Sequence, residues 1–210
     1  MKTSLMEKCR LDELAEVQPG YPFRGKLPLT DSGGTYVVQF RHIEVGLRLS
    51  DKDGKILDRA VLTGRKKPSY LRSGDVLFMA KGTRNHAAVI GDVPANTVCT
   101  PNFYHIRIRP EARNLMAEFL AWQLNHRGAQ RYFASCSQGS VAPSITKTQL
   151  GSLSIIVPPI AQQDRLVKLA RAAVREEKLM NQLIENRRQL INSVGGWVLQ
   201  QNQNPGARDE

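Results

Sequence analysis

The chain has few of the features that announce the commoner chemistries. Its 210 residues include three cysteines, Cys9, Cys99 and Cys136. An odd number so widely spaced supports neither a disulfide framework nor a zinc knuckle, and a reducing cytoplasm is the expected compartment. His42, His86, His105 and His126 stand at no metal-ligand spacing from cysteine or acidic residues, so no metal is expected. No stretch is apolar over the eighteen or more residues that a membrane span needs, and residues 1–8 lack the apolar core of a signal peptide. No Gly-rich turn after a strand offers a place for a methyl-donor cofactor, so no methyl transfer by this chain and no cofactor are expected. Acidic residues are scarce: 19 Asp+Glu face 30 Lys+Arg, for a net charge of +11. That excess predicts a polyanionic partner, most often nucleic acid. It is spread along the chain, so the positive field belongs to a folded surface and not to a tail.

One segment also lacks proline and glycine. After Leu153-Ser154-Ile155-Ile156-Val157 come Pro158-Pro159, and then neither residue type appears until Gly195-Gly196. Prolines end a strand and can open a helix, because a helix's first turn does not use the missing N–H. Forty helical residues would reach roughly 60 Å at 1.5 Å per residue, more than a small domain is wide. Leu166, Leu169, Ala173, Met180, Leu183, Ile184, Leu190, Ile191, Val194 and Val198 recur at steps of three and four, the stripe of a coiled coil. Glu176 and Arg187 interrupt it. This spacing predicts a long helix over residues 159–201 that pairs with another helix, followed by a disordered polar tail over 202–210.

Ahead of the helix the pattern is mixed, and the expected class is α+β: a domain of mixed β-sheet with short helices over residues 1–158. Residues 9–18 read as a short amphipathic piece. Tyr36-Val37-Val38-Gln39-Phe40 reads as a strand with Ile43-Glu44-Val45-Gly46 as its turn, and Val76-Leu77-Phe78-Met79-Ala80 as a buried strand. Ala87 to Ile90, Thr97 to Cys99 and Phe103 to Ile108 read as further strands. Asp53-Gly54 predicts a hairpin between Leu47-Arg48-Leu49 and Ile56-Leu57. The Asp51-x-Asp53-Gly54 fragment is not a calcium loop, since the first ligand position is Leu49 and the twelfth is Ala60. Leu115, Met116, Phe119, Leu120 and Leu124 have helical spacing that Gly128 should break, with a short helix to Phe133. Residues 135–144 read as a loop, and Thr146-Lys147-Thr148-Gln149 has the capping-box pattern.

The order of these motifs carries a resemblance. Gly74-Asp75-Val76-Leu77-Phe78 with a loop at Gly82 is followed by Gly139-Ser140 with Ile145 and Leu150. Then come Leu153-Ser154-Ile155-Ile156-Val157-Pro158-Pro159-Ile160-Ala161-Gln162-Gln163 and the long helix. From Leu11 to about Val198 the chain resembles the DNA-specificity subunit of type I restriction–modification systems. Gln162 stands where that family usually has Glu. The family's subunits carry two target-recognition domains and two long helices packed antiparallel, and this chain has one of each. The resemblance therefore implies a half-subunit: a target-recognition domain and a coiled-coil helix through which a second copy is bound. It further implies double-stranded DNA with palindromic half-sites, a spacer measured by the helices, methyltransferase subunits, and a restriction or translocase subunit as partners. The implied role is sequence recognition without catalysis. Consistently, Val157-Pro158-Pro159-Ile160 lacks both the Asn or Asp and the aromatic residue of the DNA amino-methyltransferase motif.

Contact with DNA calls for cations on phosphates and for polar side chains on base edges. The loop Lys81-Gly82-Thr83-Arg84-Asn85-His86 offers both. Arg65, Lys66 and Lys67 fit phosphate holders, with Arg24 and Lys26 as weaker candidates. Arg41 and His42 (with Gln39) lie at a strand end, and Gln138, Ser140 and Lys147 flank the Gly139 loop. A coiled-coil adaptor with a basic surface and no sequence-specific DNA binding is the alternative reading.

Overall fold

The computed structural model describes residues 7–44, 48–82, 85–137 and 143–202. The turn expected at Val45-Gly46, the candidates Thr83, Arg84, Gln138 and Ser140, and the tail from 203 onward lie outside the described residues.

The chain opens as strand β1 (Glu7–Arg10), a single helical turn α1 (Leu11–Leu14) and strand β2 (Ala15–Pro19). The amphipathic piece expected over 9–18 is thus a strand, a turn and a strand. β1 pairs with a strand near residue 155 and β2 with one near residue 106, both antiparallel. These long-range ladders override the local helical period. There follow β3 (Thr35–Val38), β4 (Arg48–Leu49), β5 (Asp58–Ala60), β6 (Val76–Met79), β7 (Ala87–Ile90), β8 (Thr97–Cys99) and β9 (Phe103–Ile108). Helices α2 (Ala117–Asn125), α3 (Arg127–Cys136) and α4 (Lys147–Gly151) come next, then β10 (Ser154–Val157) and the helix α5 (Ile160–Asn202).

The strands form a pair β1-β10, a five-stranded sheet in the order β2-β9-β6-β7-β4, and a three-stranded sheet β5-β3-β8. Both larger sheets are mixed, with β4 parallel to β7 and β3 parallel to β8. The hairpin expected around Asp53-Gly54 is absent, because β4 and β5 belong to different sheets. The segment is instead a tight loop wound on Asp51, whose carboxylate accepts from the Lys55, Ile56 and Leu57 N–H groups at 2.8–3.0 Å. Gly54 is required there: its φ is +64°, and an added Cβ would strike the Tyr36 ring.

β6 shows why one strand can sit between two cores. Its side chains alternate, so Val76 and Phe78 enter a cluster with Leu120, Phe133 and Ile155, while Leu77 enters another with Val38, Ile90 and Phe103. Its continuous apolar run is the signature of burial on both faces. Ahead of it, Asp75 is the polar hub of the domain. Its carboxylate accepts from His105 Nε2 at 2.7 Å, from Arg107 at 2.7 and 2.8 Å, and from the Arg72 N–H at 2.7 Å. Burial alone would raise its pKa. The hydrogen bonds from Arg107 and His105 outweigh that and hold it down at about 2.

The helical region departs from expectation at one point. Gly128 does not break a helix, since it lies inside α3. The break is at His126, in extended conformation, whose ring Nδ1 accepts from the Gly128 N–H. Leu115 and Met116 precede α2 but remain buried or half-buried. The capping box on Thr146 is present. Side-chain amides then bolt the helices to the strands. Gln123 exchanges hydrogen bonds with the backbone of Ile156, and Asn125 does so with Ala87, all at 2.8–3.0 Å. Each amide reproduces the donor–acceptor pair of a neighbouring strand.

α5 begins as part of this framework. Gln163 is fully buried: its Oε1 accepts from Met116 N–H at 2.9 Å, and its Nε2 donates to the Asn114 and Pro158 carbonyls at 2.5 and 2.7 Å. Val167 joins the main core. The first compact unit accordingly ends at Ala170, and the second begins at Arg171. In α5, Leu169, Met180, Leu183, Ile184, Leu190, Ile191 and Val194 are all exposed, Leu169 by 71% and Ile191 by 70%. The helix runs through Gly195-Gly196 without a break.

Candidate nucleic-acid interface

The basic segments are organised by the connection between β8 and β9. That connection, Thr100-Pro101-Asn102, is not a hairpin turn; it carries the chain from the three-stranded sheet to the five-stranded one. Its backbone is held from several sides. Thr100 N–H donates to the Val38 carbonyl at 3.1 Å, and Ala80 N–H donates to the Asn102 carbonyl at 2.9 Å. Gly20 and Tyr21 N–H donate to Phe103 and Cys99 carbonyls at 2.9 and 2.8 Å. Gly20 packs so tightly on Thr100 that any Cβ would overlap the Thr100 carbonyl oxygen. Phe40 closes the remaining side, its ring 5.0 Å from that of Phe103.

Three of the basic segments radiate from this turn. Lys66 and Lys67 are exposed on the rim of a cleft that Pro101, Cys99, Ser69 and His105 also line. Arg65 precedes them and is exposed. Arg41 follows Phe40 on the one-turn 3-10 helix Phe40–His42 and is 62% exposed, although its guanidinium is paired with Asp58. Lys81 and Gly82 follow Ala80. Gly82, at φ +97°, donates its N–H to the Pro143 carbonyl at 3.1 Å, and Ile145 N–H donates to the Ala80 carbonyl at 2.9 Å. This short ladder sets Lys81 against Ser144 and so joins the chain leaving β6 to the segment that leads into α4. Lys147, exposed in the first turn of α4, follows directly, with its backbone beside the Tyr104 hydroxyl. Lys81 and Lys147 are 66 positions apart in sequence and share one edge of the fold.

Other candidates sit differently. Asn85 is buried; its Nδ2 donates to the Met79 carbonyl at 3.0 Å, and its backbone carbonyl accepts from Gln130 Nε2 at 2.8 Å. That side chain holds the β6–β7 connection together. His86 is half-buried, and its carbonyl accepts from the Met79 N–H. The His42 side chain is only 4% exposed, beside Asp58 at 3.5 Å, while its Nδ1 accepts from the Gln39 N–H at 3.1 Å. Burial pushes the His42 pKa below its ordinary value, with Asp58 opposing, which favours a neutral ring that shapes the turn carrying Arg41. Arg24 and Lys26 are exposed in the irregular segment after Tyr21.

Sequence reasoning missed Arg48. It bridges Ser73 Oγ at 2.7 Å and Glu118 at 3.1 Å, and with Arg41 it lines a second cleft beside Glu44 and Ser50. Nothing in its local sequence distinguishes it from other surface arginines. Among the described residues no group of three or more His, Cys, Asp and Glu side chains could hold a metal ion. No helix among them is long and apolar enough to cross a membrane.

Comparison with known proteins gives this surface a context. No curated protein matches the chain. Among solved structures it is similar to a protein from work on complex assembly and conformational transition of the type I R-M system. The TM-score is 0.64 at 16% identity, over 92% of this chain and 44% of that one. A type I restriction–modification system S subunit from M. genitalium is matched with a TM-score of 0.51 at 15% identity, over 92% of this chain and 46% of that one. Identities this low establish a shared fold, and the chain spans less than half the length of either relative. The family model for the type I restriction modification DNA specificity domain matches residues 3–186. With nearly nine-tenths of the sequence accounted for by that one model, the chain belongs to the type I restriction–modification DNA specificity family.

Proposed function

We propose that this chain is the DNA-reading subunit of a type I restriction–modification complex. In this reading two copies, joined through α5, bind a bipartite palindromic site and recruit methyltransferase subunits, with a restriction or translocase subunit as a further partner. The observation that carries the proposal is the apolar stripe on α5. Large side chains are left 44–71% exposed over some thirty residues, and such a stripe marks an interaction surface. A homodimer formed through it is two-fold symmetric, and a two-fold reader calls for paired half-sites.

On the recognition domain, the exposed cations Lys81, Lys147, Arg65, Lys66, Lys67 and Arg41 hold phosphates around the Thr100-Pro101-Asn102 turn. Thr83 and Arg84, which follow Lys81-Gly82 in sequence, and Gln138 and Ser140, which precede Ser144, are assigned to the bases. Asn85 and His42 are left to structural work because Asn85 Nδ2 donates to the Met79 carbonyl and both His42 ring nitrogens accept from neighbours in the turn.

Selection from a randomised duplex library, followed by affinity measurements over a range of salt, tests the assignment. K81A/K147A should weaken binding to every duplex alike and flatten the log–log salt slope by roughly 2, about 0.9 for each phosphate no longer neutralised. R84A/Q138A should flatten the preference among duplexes, at about 1–3 kcal/mol per base pair read. A lysine variant that changes the selected sequence, or a loop variant that weakens binding uniformly, would refute the division. Indifference of the wild-type protein to DNA at low salt would refute DNA reading altogether and favour the adaptor.

A further inference from the structure

The apolar stripe of α5 is broken at two places, and the breaks have a relation to one another. From Leu169 onward the seam steps by four and three without fault: 169, 173, 176, 180, 183, 187, 190, 194. In heptad terms Ala173, Met180, Arg187 and Val194 occupy one core position, and Leu169, Glu176, Leu183 and Leu190 the other. Glu176 and Arg187 therefore lie in the middle of the seam, not on its flanks. Both are exposed. Every residue three or four positions away from either is Ala, Leu, Met or Ile, so neither has an oppositely charged neighbour at the spacing that supports pairs within a helix. A lone charge in a closed seam is strongly disfavoured unless the other helix supplies its partner.

We propose that Glu176 and Arg187 of one copy meet Arg187 and Glu176 of the other, and that these two pairs fix an antiparallel register for the α5–α5 interface. This rests on the pairing of two copies through α5 put forward above. In an antiparallel pair the two core positions face one another, and only one register sets residue 176 opposite 187. That same register sets Met180 opposite Leu183, Ala173 opposite Leu190, and Leu169 opposite Val194. The Ala172-Ala173 side of the helix, where Ala172, Glu176, Leu179 and Met180 line a shallow groove, thus receives the large Leu190. A slip of one heptad in either direction buries all four charges against apolar side chains. A parallel in-register pair sets Glu against Glu and Arg against Arg. The two charges oppose every arrangement but one.

The register has a consequence for recognition. The compact reading unit ends at Ala170. With the two-fold axis between residues 181 and 182, the two Ala170 positions stand about 23 residues apart along the paired helices, ~35 Å at 1.5 Å per residue. That is close to one turn of B-DNA, the usual separation of half-sites read by a symmetric dimer. A heptad slip would change it by about 10 Å, roughly three base pairs.

The test uses full-length protein and sedimentation equilibrium on the wild type, E176R, R187E and E176R/R187E. Each single reversal should raise the dimer Kd at least about 100-fold, because it leaves like charges opposed in two layers. The double reversal should return it to within about tenfold of wild type, and mixing the two single variants should restore pairing as a heterodimer. In a second measurement, A173C/L190C should form an intermolecular disulfide under mild oxidation, whereas A173C/L183C, matched to a slipped register, should not. The proposal is overturned if the single reversals leave the Kd unchanged, if the double reversal pairs as weakly as they do, or if A173C/L183C cross-links instead. Those outcomes would still leave a dimer. A wild-type chain that stays monomeric would overturn the pairing itself.

Discussion

Replacing Asp75 with Asn probes the frame on which the basic loops are mounted. The Asp75 side chain is 4% exposed and takes four hydrogen bonds, from Arg72, His105 and Arg107. The partners belong to β9 and to the segment leading into β6, so one carboxylate ties β9 to the entry of its neighbour β6. Its pKa is about 2 against an ordinary 3.8. At 1.36 kcal/mol per pKa unit, the charged form contributes about 2.4 kcal/mol to folding. Because the folded-state value is depressed, that contribution is complete above pH ~5 and is lost progressively as the pH falls through 2. Asn keeps the shape but removes the charge and turns an N–H₂ group toward donors, which should cost about 3–5 kcal/mol at pH 7. Urea unfolding followed by circular dichroism, at fixed protein concentration and between pH 7 and 2.5, measures both quantities. The stability gap between wild type and D75N should narrow by about 1.6 kcal/mol between pH 7 and 2.5, where about 0.8 kcal/mol of the contribution remains. A gap below about 1 kcal/mol at pH 7, or one that does not change with pH, would refute the hub.

Two further perturbations follow from the packing. Gln163→Leu removes three hydrogen bonds and strands the Met116 N–H and the Asn114 and Pro158 carbonyls. Urea midpoints should show a loss of about 2–4 kcal/mol, while exposed Gln162→Leu should stay within about 0.5 kcal/mol. Gly54→Ala places a Cβ at positive φ against the Tyr36 ring; a loss of about 1–3 kcal/mol is expected in the same assay, and a neutral result would contradict the loop geometry.

Which parts were legible in the sequence follows from how local their causes are. The long helix was legible because Pro158-Pro159 mark its start and no Pro or Gly interrupts the next 35 residues. β6 through β9 were legible because continuous apolar runs and β-branched residues announce buried strands. Pairing was not. Asp53-Gly54 reads locally as a hairpin, but β4 finds β7 and β5 finds β3, partners set by sheet packing that no turn signal encodes. Gly128 reads as a breaker, yet the side chain of His126 caps the helix that contains it. The final Gln of Pro-Pro-x-x-Gln-Gln stood out only as part of a motif; its reason, three backbone partners on two other segments, appears with the fold. Of the candidate interface, the exposed cations were legible as charge. Their convergence on Thr100-Pro101-Asn102 was not, because it depends on contacts between residues far apart in the chain. That Asn85 Nδ2 donates to the Met79 carbonyl was likewise not legible, since a buried Asn and a solvent-facing one look alike in sequence.

In the proposed function one chain is half of a two-fold DNA reader. Its most direct test is the molar mass of the wild-type protein by sedimentation at micromolar concentration, alone and on a duplex carrying the selected site. The wild-type protein should have twice the chain mass alone and the mass of two chains plus one duplex on DNA, with half-sites about one helical turn apart. A strict monomer, or a single chain saturating a single half-site, would contradict it.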